Sequence, residues 1–258
     1  MPLPVSRMAS SWLGRLVPRG LERVRALTGI GEEEWREIAE AFPGVPRDPG
    51  RLAARRRARL ARLASRALGT GRWKTAVEGG APRPEPTVYV TAHIGALQAL
   101  RYVLRSHGVP AASVIGPLNF DRSVKARTDS VFDRRYLLDF PHALPSTRPH
   151  RLATALSTGS LILAADLPEG PFLEAGVLGG VVRFDPRPFR LARTVGVPCR
   201  AAFLTLPDTG WTLTVGEPLP SDPSLAVEAF ARVFARVAAA APLDLDGLVY
   251  LSLARSRR

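Results

Sequence analysis

Residues 87–100 read TVYVTAHIGALQAL, and the way this stretch is read decides the fold. Thr87 to Thr91 are all β-branched or aromatic, which suits a pleated strand. From Ala96 onward alanine and leucine dominate, and the spacing predicts a helix over 96–106. His93 stands at the junction, and Gly95 permits the tight turn that a strand-to-helix switch requires. Ligands of open α/β sheets collect at the carboxyl ends of strands. His93 is therefore either a base at the mouth of a site or an ordinary residue of a turn.

Moving outward, short β-like runs alternate with helical ones. Strands are predicted over 87–92, 111–116, 160–166, 197–206, 211–217 and 248–254. Helices are predicted over 122–136, 149–158, 187–195 and 224–240 as well as 96–106. The run SLILAAD at 160–166 is apolar on both parities, as in a strand covered on both faces. Such alternation implies an α/β fold: a central mixed β-sheet flanked by helices. Asp166 and Gly116 close two further runs, so three strand ends converge with His93 as candidates for one site.

Ahead of this region the chain reads as an N-terminal helical preface, residues 1–77, with the α/β domain over 78–258. Residues 31–42, GEEEWREIAEAF, carry acids in the first turn, as a helix start prefers. Residues 51–74 hold nine basic residues and no acid, with Leu52, Leu60, Leu63, Ala64 and Ala67 sharing one helical face. Two readings stand side by side: a helix resting on anionic lipid or an acidic carrier, and a solvated helix packed on the core by its leucines. Residues 78–86, EGGAPRPEP, read as a linker.

The net charge of +13 favours anionic partners. Lys74 and Lys125 are the only lysines, so nearly all of it is arginine. No uncharged apolar run approaches the roughly 20 residues that span a bilayer. The expectation is a cytoplasmic chain, peripheral on the inner membrane face, with no transmembrane helix. Nucleic acid is the less fitting polyanion, because Trp73 is the one aromatic near the basic segment and no recognised module is present. A single cysteine, Cys199, excludes an internal disulfide and has no zinc-like spacing to other ligands. It reads as buried filler, and His107, His142 and His150 read as loop residues.

His93 and Gln98 are five residues apart, about 140° on a continuous helix. They meet only if His93 precedes the first turn. TAHIGALQAL resembles the signature of the lipid A biosynthesis lauroyl/myristoyl acyltransferases, within the lysophospholipid acyltransferase superfamily: a His, four residues, then Asp or Glu. The similarity continues in order through AFPGVPRDPGRLAARRRARL (41–60), VIGPLNFDR (114–122), ALSTGSLILAADLPEG (155–170) and VLGGVVRFDPRPFRLARTVGVPCRAAFL (177–204).

The resemblance implies an acyltransferase with His93 as general base. The base takes a proton from a hydroxyl or amine of a lipid-like acceptor, which attacks an acyl-carrier-protein or acyl-CoA thioester. The acceptors compatible with it are a lipid A precursor, a glycolipid or a specialised metabolite. No cofactor or metal is implied. Two positions depart from the pattern. Gln98 stands where the family has an acid; it can accept the Nδ1–H bond but carries no charge for an imidazolium. Gly116 stands where an arginine precedes Pro-Leu-Asn, ahead of Asn119. These departures keep a second reading open, a homologue that binds lipid or carrier protein without turnover. Asp166 either supplies a carboxylate or caps the LPEG turn, and Arg183 and Arg187 are either anion-binding or ordinary surface arginines.

Overall fold

The computed structural model describes residues 33, 36, 37, 40, 75–115, 144–145, 149–166, 170–206, 210–241 and 244–245. The basic segment 51–74, the helix expected over 122–136 and the strand expected over 248–254 lie outside the described residues. Glu33, Arg36, Glu37 and Glu40 are helical, within the helix expected at 31–42.

The strands are β1 (Thr75–Gly79), β2 (Val88–Thr91), β3 (Ala111–Ile115), β4 (Leu144–Pro145), β5 (Ser160–Ala164), β6 (Leu173–Val177), β7 (Gly180–Phe184), β8 (Cys199–Thr205) and β9 (Trp211–Pro218). The helices are α1 (Leu100–Ser106), entered through a 3-10 turn at Leu97–Ala99, then α2 (Pro149–Ala155), α3 (Arg187–Val195) and α4 (Pro223–Ala240). Seven strands form one sheet in the order β1-β9-β8-β2-β5-β3-β4. Strands β8, β2, β5, β3 and β4 run parallel, β9 is antiparallel to β8, and β1 is parallel to β9. The fold is thus the mixed α/β sheet the alternation predicted.

Side chains alternate across the sheet with period two. Val88, Val90, Leu161, Leu163, Ala201 and Phe203 point to the core shared with α3 and α4. Tyr89, Ile162, Ala202 and Leu204 point the other way, to a core closed by α1. On the first face Phe184, Phe189, Phe203, Phe230 and Phe234 make one aromatic cluster. Its ring centroids lie between 5.4 and 6.3 Å apart. Edge-to-face pairs such as Phe184–Phe230 add to the area these rings bury. Asp222 starts α4 by accepting from the N–H groups of Ser224 and Leu225, with Pro223 at the first helical position.

Four strands are absent from the sequence expectations: β1, the short β4, and the pair β6 and β7. The boundary read at 77/78 falls inside β1, and the linker read at 78–86 begins with the last two residues of that strand. An edge strand of sequence TAVEG has one large apolar residue, so it shows no alternation. Strands β6 and β7 form an antiparallel hairpin packed on α4. Its two turn residues, Leu178 and Gly179, both have positive φ, the geometry of a type I′ turn. That turn is usually announced by Asn-Gly, and the leucine conceals it.

Candidate active site

β2 ends at Thr91 and β5 at Ala164, and these two residues are register partners in the parallel pair. Each strand then runs on through one alanine, Ala92 or Ala165, still joined by the Ala165 N–H to the Thr91 carbonyl at 3.0 Å. The next residue is His93 on one strand and Asp166 on the other. Equal overhang beyond a shared register brings the two side by side.

Asp166 holds His93 twice. Its Oδ2 accepts the His93 backbone N–H at 2.7 Å, and its Oδ1 lies 2.8 Å from His93 Nδ1. The Asp166 side chain is fully buried, while that of His93 keeps 35% of its surface exposed. An ionised carboxylate only accepts, so the proton of the ring sits on Nδ1 and Nε2 is its basic nitrogen. This is the tautomer a general base uses, with the ring fixed from behind by a charge that stabilises the imidazolium.

The turn that carries His93 has every amide engaged. The Ile94 N–H bonds back to the Ala92 carbonyl at 2.8 Å, a three-residue turn around His93. The Gly95 N–H donates to the Asp244 carbonyl at 2.7 Å and the Ala96 N–H to the Leu204 carbonyl at 2.9 Å. With the His93 N–H on Asp166, four successive donors are satisfied and none is left for a substrate oxygen. Gly95 has φ +65°, and a Cβ placed there would sit 2.0 Å from the Leu204 carbonyl oxygen. Only glycine fits.

No family model matches the chain, and no curated protein does. Among solved structures it is similar to the 1-acyl-sn-glycerophosphate (LPA) acyltransferase, PlsC, from Thermotoga maritima. The two share 16% identity, with 90% of this chain and 97% of that chain covered and a TM-score of 0.41.

The remaining candidates fall in different places. Gln98 lies in the 3-10 turn at Leu97–Ala99, and its side chain is outside the described residues. His93 Nδ1, the ring nitrogen the sequence reading offered to Gln98, lies 2.8 Å from Oδ1 of Asp166, the carboxylate that the strand register brings beside it. Gly116 and Asn119 are outside the described residues. Arg183 is an exposed residue of β7, bonded to Glu174 at 3.1 Å and stacked over the Phe172 ring at 4.5 Å. Arg187 opens α3, with its Nε 2.9 and 2.7 Å from the two oxygens of Asp185. The Asp185 N–H bonds the Ala165 carbonyl at 2.7 Å, so this ion pair adjoins the strand end that carries Asp166. Of the two arginines, Arg187 is the one whose ion-pair partner bonds that strand end.

Sequence reasoning missed Asp185 and Asp244. Asp185 had a signal, an Asp-Pro step at a strand-to-helix junction. Asp244 had none. It is buried, its carboxylate accepts the Leu206 N–H at 2.7 Å, and Leu245 makes an isolated β-bridge with Ile94. Among the described residues, no group of three or more His, Cys, Asp or Glu is placed to hold a metal ion. No described helix is long and apolar enough to cross a membrane. Burial pushes the Cys199 thiol up to about 12. Burial also raises Tyr89, outweighing the hydrogen bond to Arg83 and the positive charge of Arg200.

Proposed function

We propose that the protein is an acyltransferase that moves an acyl group from a thioester to a hydroxyl or amine of a lipid-like acceptor. The observation that carries this reading is the double hold of Asp166 on His93 at the carboxyl ends of two central strands. Nε2 of His93 takes the acceptor proton as the acceptor oxygen or nitrogen attacks the thioester carbonyl. The tetrahedral intermediate then expels the thiolate, which recovers the proton from the imidazolium. The products are an ester or amide and a free thiol, and direct attack needs neither metal nor covalent acyl-enzyme.

Gln98 and Gly116 motivated the alternative of a homologue that binds without turnover. Asp166, 2.8 Å from His93 Nδ1, offers the carboxylate that Gln98 lacks, which answers the first of these departures. The amides of residues 93–96 are engaged within the protein, and a side-chain cation is one group that can take the negative charge developing on the substrate. Arg187, whose partner Asp185 bonds the Ala165 carbonyl next to Asp166, is a candidate for that role or for a substrate phosphate.

The outward faces of α2, α3 and α4 expose Arg151, Arg190, Arg193, Arg232 and Arg236 against one acid, Glu228. Such a surface suits an anionic donor, acyl carrier protein or acyl-CoA, and peripheral contact with an anionic membrane face. A lipid A precursor, a glycolipid and a specialised metabolite are all compatible with the sequence resemblance as acceptors. The test is acyl transfer by the wild type and His93→Ala with carrier and CoA donors and a lipid extract, read by mass spectrometry. A lipid heavier by one acyl group, made by the wild type alone, is expected. Equal product from both proteins refutes His93 as the base.

A further inference from the structure

The His93 turn is bonded to two segments, and one of them comes from a distant part of the chain. On one side the turn is pressed against β8. The Ala96 N–H bonds the Leu204 carbonyl, and the Gly95 Cα faces the same oxygen with no space for a methyl group. The second contact is with Asp244. Its carbonyl takes the Gly95 N–H at 2.7 Å. Its carboxylate takes the Leu206 N–H at 2.7 Å, two residues beyond Leu204. The hydrogen bonds therefore close a ring: Gly95 to Asp244, Asp244 to Leu206, and Leu204 back to Ala96. The β-bridge between Leu245 and Ile94 continues the contact to the residue next to His93.

We propose that Asp244 is a positioning residue for His93. Its carboxylate anchors the segment 244–245 to the end of β8, and that segment stops the turn from lifting away from the sheet. Gly95 already touches the Leu204 carbonyl, so the turn cannot close further on β8, and its N–H is tied to Asp244. The ring of His93 is thereby held at the distance and angle at which Nδ1 meets Asp166. The inference concerns the site read above as an acyltransferase centre, and it rests on that reading only for its kinetic consequence.

The experiment uses the full chain labelled with 15N-histidine. The chain has four histidines, so the imidazole spectrum is small, and His93→Gln assigns the resonance of interest. The wild type is expected to show His93 as the Nδ1–H tautomer, with a far-downfield Hδ1 signal from the bond to Asp166. Asp244→Ala is expected to lose that signal, while the other three histidines stay in place. Asp244→Asn keeps a neutral acceptor for Leu206 and is expected to retain the signal, shifted upfield. Asp222→Ala, which removes the α4 cap far from the turn, serves as the control for lost stability and is expected to leave the signal unmoved.

An Asp244→Ala protein that keeps the downfield signal overturns the proposal. So does an unmoved signal in Asp244→Asn, should the alanine variant fail to fold. So does a wild type without the signal, since there is then no bond for Asp244 to hold. In kinetics, a misplacement of about an ångström costs about 10²-fold. Asp244→Ala is expected to lower kcat by about that factor with little change in KM. If the wild type transfers no acyl group yet keeps the signal, and Asp244→Ala loses it, the proposed reaction fails and the positioning role stands.

Discussion

Replacing Asp166 with asparagine is the most informative perturbation of this site, because the two oxygens of Asp166 serve two donors on one residue. One donor is the His93 backbone N–H and the other is the ring Nδ1–H. Asparagine offers one acceptor oxygen and one NH₂ group. The backbone N–H cannot give up its proton, so the amide oxygen must stay with it. The NH₂ group then faces Nδ1, and the only way to avoid two opposed donors is for the ring to change tautomer. Nδ1 becomes the acceptor, Nε2 takes the proton, and the ring can no longer act as the base. The fold loses little, since both hydrogen bonds persist in altered form.

The expected outcome is a variant of near wild-type stability in urea with a turnover lower by about 10⁴, as in the serine-protease aspartate-to-asparagine case, where the tautomer is also wrong. That factor corresponds to about 5 kcal/mol of transition-state stabilisation. Asp166→Ala takes away both acceptors but leaves the ring free to choose its tautomer. Where that variant folds, it is expected to transfer acyl groups faster than Asp166→Asn, against the intuition that the smaller change does less harm. Single-turnover assays with a saturating thioester donor measure both rates. An Asp166→Asn protein within tenfold of the wild-type rate, or one slower still as alanine, refutes the tautomer argument.

Three further outcomes follow from other contacts. Gly95→Ala would set a Cβ 2.0 Å from the Leu204 oxygen, against about 3.4 Å for ordinary contact. Left-handed strain and a lost buried hydrogen bond are expected to cost roughly 2–4 kcal/mol in urea unfolding. A loss below about 1 kcal/mol would show that the turn yields. Phe230→Ala empties the middle of the aromatic cluster and is expected to cost about 3–5 kcal/mol by the same assay; a cost under about 1 kcal/mol would mean that the surrounding rings refill the space. The Cys199 thiol, raised by burial from 9.0 to about 12, holds its proton more tightly folded than unfolded. Stability is therefore unaffected below pH 9 and falls as pH climbs toward 12. Cys199→Ala should flatten that alkaline slope between pH 9 and 11, and an unchanged slope would place its origin elsewhere.

The central strands were readable in the sequence because they are buried on both faces, and β-branched or apolar runs have no other use at that length. SLILAAD and the run around Cys199 became β5 and β8 within two residues at each end. Helix α3 matched its expected bounds of 187–195, since Gly196 in the left-handed conformation ends it locally. Elements that depend on partners were not readable. β1 is a strand because β9 offers it an edge, and nothing within TAVEG announces this. The β6–β7 hairpin hides behind a leucine in a turn position that usually shows Asn or Gly.

The site divides along the same line. His93 was found from its local setting, a strand end followed by Gly95 and a helix pattern. Its partner was sought first five residues away, at Gln98, on the family pattern, with Asp166 at another strand end as the second source of a carboxylate. The carboxylate came from 73 residues away, and yet its position was not arbitrary. Thr91-Ala92-His93 and Ala164-Ala165-Asp166 are two strand ends of the same length beyond a shared register. Had β2 and β5 been known as parallel neighbours, His93 and Asp166 would have followed as a pair. What the sequence withheld was which strand lies beside which. That choice is settled by the two cores, where Val88 and Val90 line up with Leu161 and Leu163, and not by anything near the histidine. A slip of one residue in that register would turn those leucines away from α3 and α4 and carry Asp166 out of step with His93. Burying the core and assembling the pair are therefore the same event.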